Sequence, residues 1–131
     1  MKILVEEFTT PSPIVVDPGD NVLHVKQQMR DHGIRHVPVV KGKSVVGILS
    51  DRDLRLIDGW FNDLSTLRVD FVMTPDPYVV SPQTPLESVA FHMSKEKIGS
   101  AIVQSMDEDY LGIFTSTDAL NALLELLRGQ V

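Results

Sequence analysis

Two segments of the chain place a hydroxyl and a carboxylate side chain at the same spacing, and together these groups could bind a nucleotide. The segments are Gly47–Asp53 and Gly112–Asp118, and each reads glycine, two apolar residues, a hydroxyl residue, two variable residues and aspartate. Each is predicted to lie where a strand ends and a helix begins, so free backbone N–H groups would favour an anion there. The hydroxyl could bond a phosphate or sugar oxygen, and the aspartate could accept from both hydroxyls of a ribose.

The same residues could instead serve only to cap a helix. Ser50 with Asp53, and Thr115 with Asp118, resemble a capping box, in which side chain and backbone bond each other reciprocally and no ligand is needed. The motif occurs at the equivalent place in two copies, which favours the ligand interpretation. At this point both interpretations stand.

No catalytic set accompanies the two motifs. Ser50 has no histidine in its motif, and Asp53 and Asp118 lie in separate halves of the chain, so a nucleophile with a base is not evident. Because the chain has no cysteine, thiolate metal sites and cysteine nucleophiles are excluded. Three histidines in or beside predicted helices lack metal-ligand spacing: His24, His32 and His92. We therefore expect no enzyme activity, no metal and no cofactor.

The composition is that of one globular domain. The chain has 131 residues, 43% hydrophobic and 23% charged, and no apolar run approaches the ~20 residues of a membrane span. A net charge of −6 without a basic stripe argues against nucleic acid as a partner. The N-terminus turns acidic at Glu6 and Glu7 and shows no signal-peptide cleavage pattern, so we expect a cytoplasmic protein.

The elements that must position the two motifs also occur twice. Residues 16–34 align with residues 80–98 at an offset of 64, and residues 47–53 align with residues 112–118 at an offset of 65. Apolar periodicity and turn residues predict strand, helix, strand, strand and helix in each copy, an α+β fold class. The predicted strands are 14–16, 37–40 and 45–49, and then 78–80, 100–104 and 110–114. The predicted starts of the helices are Asp20, Ser50, a Thr84–Glu87 capping box and Thr115.

These copies divide the chain into three segments. Residues 1–58 form the first copy with an N-terminal segment, 59–70 a connection, and 71–131 the second copy. Four apolar residues lie in the connection: Trp60, Phe61, Leu64 and Leu67. It is too apolar for a flexible linker, so we expect it to be packed. A lone half buries little surface, so the two halves are expected to form one cooperative module.

Both copies resemble a known repeat. Gly33–Val40 followed by Gly47–Leu54, and Val72–Pro75 followed by Gly112–Asp118, are similar to the two CBS motifs of a pair, named after cystathionine β-synthase. The resemblance covers the chain from about residue 8 to residue 127. It implies a Bateman module, in which two βαββα units pack sheet to sheet around a pseudo-two-fold axis. Two clefts between such units often hold adenosine-containing ligands such as AMP, ADP, ATP or S-adenosylmethionine.

The resemblance also implies roles for particular residues. In CBS motifs the aspartate holds the ribose, and the hydroxyl contacts ribose or phosphate. The adenine lies against the start of the first strand and the backbone of the second. The matching positions in the first copy are Ser50, Asp53, Pro13, Ile14 and Val37. Those in the second copy are Thr115, Asp118, Pro77, Tyr78 and Ala101.

The two copies differ in charge. The first carries Arg35, His36 and Arg52 around its motif, and arginine can bind a phosphate through two hydrogen bonds. At those positions the second copy has glycine, serine and threonine. We predict that the first-copy site prefers phosphorylated ligands and that the second takes a less charged adenosyl compound or stays empty. The alternative is that Arg35 and His36 are simply solvated.

These expectations combine into a free-standing regulatory module that senses an adenosyl ligand and signals to an effector protein in trans. The CBS resemblance further implies a homodimer, and the leucine-rich final helix could supply its contact. The alternative is a dimerisation or scaffold protein whose clefts are vestigial and bind nothing.

Overall fold

The structure is a computed structural model that describes residues 2–129. In chain order the strands and helices are β1 (Thr10–Pro11), α1 (Val22–His32), β2 (His36–Lys41), β3 (Ser44–Ser50), α2 (Asp51–Asp58), α3 (Val69–Val72), β4 (Thr74–Pro75), β5 (Val79–Val80), α4 (Leu86–Glu96), β6 (Ser100–Gln104), β7 (Leu111–Thr115) and α5 (Ser116–Leu127). They form two compact units. The first unit is Ile14–Pro77, and the second combines the segment up to Pro13 with the segment from Tyr78 onwards. The predicted α+β class with two βαββα repeats is confirmed.

In the first unit, helices α1 and α2 pack on an antiparallel sheet of order β2-β3-β4. The apolar residues of α1 recur at helical spacing and therefore share one buried face. The hydrophobic core of the first unit joins both helices to the sheet. It consists of Val16, Val22, Val25, Met29, Val37, Val39, Leu49, Leu54, Leu64 and Val69. Among the described residues, neither unit has a helix with the length and apolar character that a membrane span requires.

The first predicted strand of this unit shrinks to one residue. Only Val16 pairs, in an isolated parallel bridge with Val39. In the second copy the equivalent strand is also held two residues earlier in the chain, because Ile102 N–H donates to Tyr78 O at 2.8 Å. The residue corresponding to Ile102 is Pro38, which has no N–H to donate to Ile14. The prediction of a strand over 14–16 was therefore wrong at its start.

Two predicted helix caps also differ from the observed ones. Helix α1 is capped by Asn21, whose side chain accepts from His24 N at 2.8 Å, one residue after the predicted Asp20. Helix α4 begins after Pro85 without a side-chain cap, so the predicted capping box at Thr84 does not form. Instead, Ile3 O accepts from Leu86 N at 2.8 Å. Main chain from the N-terminal segment thus bonds an N–H that a cap would otherwise satisfy.

The second unit has a sheet of order β1-β7-β6-β5, in which only the β5–β6 pair is parallel. Helices α4 and α5 and the N-terminal segment pack on it. Its core consists of Val5, Leu86, Val89, Met93, Ala101, Val103, Phe114 and Ala122. The unit therefore repeats the plan of the first, with apolar helix faces on a small sheet.

Each unit contains a short strand from the residues that precede the other copy. Strand β1 precedes the first copy but pairs with β7, where Pro11 lies opposite Gly112. Strand β4 precedes the second copy but pairs with β3, where Pro75 lies opposite Gly47. We predicted that the N-terminal segment accompanies the first copy. Its contacts are instead with the second, because Val5 is fully buried there.

The pairing of β1 with β7 and of β4 with β3 explains why each motif begins with a glycine. A Cβ at Gly47 would lie 3.0 Å from the main-chain oxygen of Thr74, and a Cβ at Gly112 would lie 3.1 Å from that of Thr10. Any side chain at these positions would therefore displace the strand that crosses them. The sequence pattern showed that both glycines recur, but their cause became visible only with the crossing strands in place.

The connection between the copies is partly packed. Leu64 and Val69 lie in the core of the first unit. Trp60 is 84% exposed, and Phe61 meets the ring of Phe71 edge-on at a centroid distance of 6.1 Å. The segment is thus anchored by its aliphatic residues, while its aromatic residues lie towards solvent.

Candidate functional site

The first candidate site is the junction of β3 and α2. Ser50 ends the strand and caps the helix, since its Oγ accepts from Asp53 N at 3.1 Å. Asp53 Oδ2 accepts from Ser50 N at 2.9 Å in return. The helix starts here because Ser50 keeps an extended backbone while its side chain satisfies an N–H that has no partner within the helix. The predicted helix start is confirmed.

The second candidate site repeats this geometry at the junction of β7 and α5. Thr115 N donates to Asp118 Oδ2 at 2.9 Å, and Asp118 N donates to Thr115 Oγ1 at 3.4 Å. One contact is additional, because the Thr115 hydroxyl also donates to Asp118 Oδ2 at 3.1 Å. The hydroxyl proton of Thr115 is thus engaged, whereas no such bond forms between Ser50 and Asp53 in the part of the chain that the structure describes.

The caps leave one oxygen of each aspartate available. Within residues 2–129, all hydrogen bonds of Asp53 and Asp118 side chains involve Oδ2. Oδ1 therefore remains as an acceptor on a half-buried carboxylate in each copy. The same aspartate can therefore cap a helix and bind a ligand, so the observed capping does not argue against the ligand interpretation.

Strand pairing and chain proximity bring Arg35, His36 and Arg52 to the motif of the first copy. His36 lies opposite Ser50 in the β2–β3 register, and Arg35 O accepts from Asp51 N at 2.8 Å. Arg52 lies in the first turn of α2. The main chains of Arg35, His36 and Arg52 therefore lie next to the Ser50–Asp53 pair within one unit.

The charge at this edge comes from the two arginines. Burial lowers the pKa of His36 and Arg35 lowers it further, whereas Asp53 and Asp51 oppose the shift. The imidazole is therefore neutral near pH 7 and can offer a hydrogen bond but no full charge. Arg35 and Arg52 are exposed, and neither forms an ion pair among residues 2–129, whereas Arg55 pairs with Asp51 at 3.5 Å.

In the second copy, three adjacent strands bring the predicted residues to one edge. Ser100 lies opposite Thr115, and Tyr78 O accepts from Ile102 N at 2.8 Å. Tyr78, Ala101 and Thr115 thus lie along one end of the sheet, about 10 Å across at two strand spacings. Ser116 N donates to Gly99 O at 3.1 Å, the counterpart of the Asp51–Arg35 bond.

Not every predicted residue presents its side chain at these edges. Val37 is fully buried and Ala101 is 1% exposed, so only their main-chain atoms can face a ligand. Pro13 falls in the second unit and Ile14 in the first, whereas Pro77 falls in the first unit. Pro13 and Pro77 are therefore not brought to their predicted motifs within one unit.

One contact at the second-copy edge was not predicted. The rings of Tyr78 and His92 are stacked, with centroids 3.9 Å apart and planes inclined by 23°. From the sequence, His92 is expected only to lie in or beside a helix without metal-ligand spacing. The repeat alignment contains a sign of this contact, because both positions carry a ring in the second copy but not in the first, where the corresponding residues are Ile14 and Gln28. Among the described residues, no group of three or more metal-ligating side chains forms a potential metal site.

Comparison with known proteins decides the family. A model of the CBS domain matches residues 5–57 and again residues 68–125. The chain belongs to the CBS-domain family. The two matches confirm the predicted tandem CBS pair, and they cover both strand–helix junctions.

The curated relatives of this CBS pair are longer proteins. It is 33% identical over 113 residues, or 86% of its length, to an inosine-5'-monophosphate dehydrogenase of Korarchaeum cryptofilum. It is 27% identical over 128 residues to the MJ1225 protein of Methanocaldococcus jannaschii. The chain spans 23% of the first relative and 46% of the second. The activity of such an enzyme therefore cannot be read from this match.

Solved structures of similar size share the fold of the whole pair. A Vibrio cholerae protein proposed to function in acetoin utilization (AcuB) is 31% identical, with a TM-score of 0.86, and the match covers 99% of this chain and 96% of that protein. The protein CBSX2, crystallised in complex with AMP, is 27% identical with a TM-score of 0.78. That match covers 94% of this chain and 97% of CBSX2.

Proposed function

We propose that this CBS pair is a cytoplasmic regulatory module that binds adenosine-containing ligands at its two strand–helix junctions and signals to an effector protein in trans. In this proposal it performs no catalysis. A ligand that binds one conformation preferentially shifts the population towards it, and a partner can recognise the shifted surface. AMP, ADP, ATP and S-adenosylmethionine are the candidate ligands.

The observation that carries the proposal is the free carboxylate oxygen in each copy. A pure capping role would need only Oδ2, and the bonds to Ser50 and Thr115 already use it. Oδ1 of Asp53 and of Asp118 remains beside a hydroxyl and the first N–H groups of a helix, which suits a ribose and its attached phosphate. The AMP complex of CBSX2, a protein of similar length and fold, supports the same class of ligand.

The exposed face of α5 supports a homodimer as the assembled form. Five leucines on this helix are 44–75% exposed: Leu120, Leu123, Leu124, Leu126 and Leu127. Beside them, α4 and α5 border an apolar groove whose alanines are Ala90, Ala119 and Ala122. Contiguous apolar surface of this kind marks an interaction site. The same surface would serve the alternative function, a scaffold that dimerises without a ligand.

Thermal denaturation with a panel of adenosyl ligands, followed by calorimetric titration with AMP, tests the proposal. A ligand that binds only the folded state and is present at a free concentration of about 100 times its Kd adds about 2.7 kcal/mol to the free energy of unfolding and raises the Tm. In Asp53→Asn and Asp118→Asn, the amide oxygen can still accept the capping N–H, but the amide NH₂ cannot accept a ribose hydroxyl. Each variant should therefore lose one binding event while keeping its cap.

Asn21→Ala is the matched control, because it removes the side-chain cap of α1 away from either junction. It should lower stability by about 1 kcal/mol and leave AMP affinity unchanged. If no ligand raises the Tm of the wild-type protein, the sensing function is wrong and the scaffold function takes its place.

A further inference from the structure

The stacked pair Tyr78 and His92 is the feature of the second copy that the capping motif does not explain. Tyr78 is the residue before β5, and His92 lies on α4 of the same unit. Their rings are nearly parallel at 3.9 Å, so one face of the tyrosine ring is covered by the imidazole. Stacked rings of this kind restrict each other, and aromatic pairs contribute beyond the area that they bury.

The backbone of Tyr78 is held as firmly as its ring. Its carbonyl oxygen accepts from Ile102 N at 2.8 Å, and β5 continues in parallel register with β6. This places Tyr78 on the sheet edge that also carries Thr115 and the first turn of α5. Tyr78 packs against the core of its unit but is only partly buried as a residue, so part of its side chain remains accessible beside His92. Burial raises the pKa of the Tyr78 hydroxyl, which therefore remains a neutral phenol near pH 7.

The first copy offers no such surface at the corresponding place. Its residues there are Ile14 and Gln28, and the side-chain oxygen of Gln28 is buried without a hydrogen-bond partner among the described residues. Instead, the first copy carries Arg35 and Arg52. One junction therefore presents cations for a phosphate, and the other presents an aromatic ring for a flat, uncharged group.

We propose that His92 is a positioning residue that holds the ring of Tyr78 as a stacking platform, so that the second copy selects a nucleoside by its base and not by its phosphates. This inference rests on the proposed function, because it assigns a ligand class to the junction at Thr115 and Asp118. Stacking on an aromatic ring is tolerant of base identity, since each base has a π face. The second copy should accordingly bind adenosine about as well as AMP.

The test uses the full chain carrying Asp53→Asn, so that the second copy is titrated alone. Adenosine binding is followed by calorimetry and by the proton NMR signals of adenine H2 and H8, which move upfield when the base stacks on an aromatic ring. Tyr78→Leu keeps an apolar side chain on the core and should abolish the upfield shift. His92→Ala should weaken adenosine binding by about tenfold and reduce the shift. His92→Phe, which preserves a stacked ring, should restore both.

Gln28→Ala is the matched control, since it changes the equivalent position of the first copy and should leave adenosine binding at the second unchanged. If adenosine binds without an upfield shift, or binds His92→Ala as tightly as the parent, the stacking platform is wrong while the proposed function stands. If adenosine does not bind the wild-type protein but another adenosyl ligand raises its Tm, the stacking platform is wrong and the proposed function stands; if no adenosyl ligand binds at all, both proposals are wrong. A loss in His92→Ala that His92→Phe does not restore would also overturn the positioning role.

Discussion

The first copy carries Arg35, Arg52 and a half-buried His36 close to its motif in the chain or the sheet, whereas the second has small polar residues at those positions and the Tyr78–His92 stack on the same sheet edge. The backbone plan beneath is the same in both: a reciprocal cap, a glycine at the strand that crosses, and a short strand from the residues preceding the other copy. The residues that fix main-chain geometry at the two motifs, the glycine, the hydroxyl residue and the aspartate, have counterparts in both copies. Residues whose side chains line the junction differ, and a pair of sites can acquire two ligand preferences in this way.

The largest effects are expected where the copies match in the core. Leu49 and Phe114 occupy equivalent positions and are both fully buried. Leu49→Ala should lower the free energy of unfolding by about 2–5 kcal/mol and Phe114→Ala by about 3–5 kcal/mol, because each leaves a cavity. Urea denaturation measures both. Leu56→Ala, at a position 63% exposed, should change stability by no more than about 0.5 kcal/mol. If Leu49→Ala or Phe114→Ala lowered the free energy of unfolding by only about 0.5 kcal/mol, the two positions would not play equivalent roles in the two cores.

The second prediction concerns the charge difference. Arg35→Gln combined with Arg52→Gln should weaken AMP binding at the first copy by about tenfold or more and leave adenosine binding unchanged, because a charge-assisted bond to phosphate is lost. Calorimetry in an Asp118→Asn background isolates this site. Arg55→Gln is the control, since Arg55 lies on the same helix but pairs with Asp51.

A separate comparison of the two aspartates can contradict this assignment. If loss of Asp53 and loss of Asp118 lower the phosphate-dependent affinity equally, the assignment of phosphate to the first copy is wrong.

The sequence predicted those parts of the molecule that depend on local signals. Period, turn residues and the hydroxyl-to-aspartate spacing correctly placed β6 and the starts of α2 and α5. It failed where a distant segment supplies the bond: Thr84 is not a cap because Ile3 O takes the N–H of Leu86. Likewise, Gly112 pairs with Pro11, about 100 residues earlier in the chain. Such pairings leave no local pattern, and only the recurrence of the glycine hinted at them.

The third prediction concerns His36, which lies opposite Ser50 at the first junction. Because burial lowers the pKa of His36 in the folded state, the unfolded chain binds its proton first as the pH falls below about 6.5. Protonation therefore favours unfolding, and wild type should lose stability relative to His36→Gln between pH 7.5 and pH 5. One proton limits the slope of this difference to about 1.4 kcal/mol per pH unit. Urea denaturation across this range measures it.

The second copy has Ser100 at that position and contributes no such dependence. Ser100→Ala should therefore show the same pH profile as wild type. A stability difference between wild type and His36→Gln that stays constant with pH would show that the imidazole titrates as it does in the unfolded chain.

The smallest effect is expected where α1 and α4 end. Both helices finish in a left-handed residue, Gly33 with φ 63° and Lys97 with φ 56°. A side chain at such a φ costs about 1 kcal/mol, which glycine avoids. Gly33→Lys should therefore destabilise the protein by about 1 kcal/mol, and Lys97→Gly should stabilise it by a similar or smaller amount. Because a Cβ at Gly33 would meet no atom within 4 Å, the first change tests backbone strain without a steric clash. Opposite signs in urea denaturation would establish that the two helix ends are equivalent, whereas two losses would mean that Lys97 stabilises its helix end through contacts of its own.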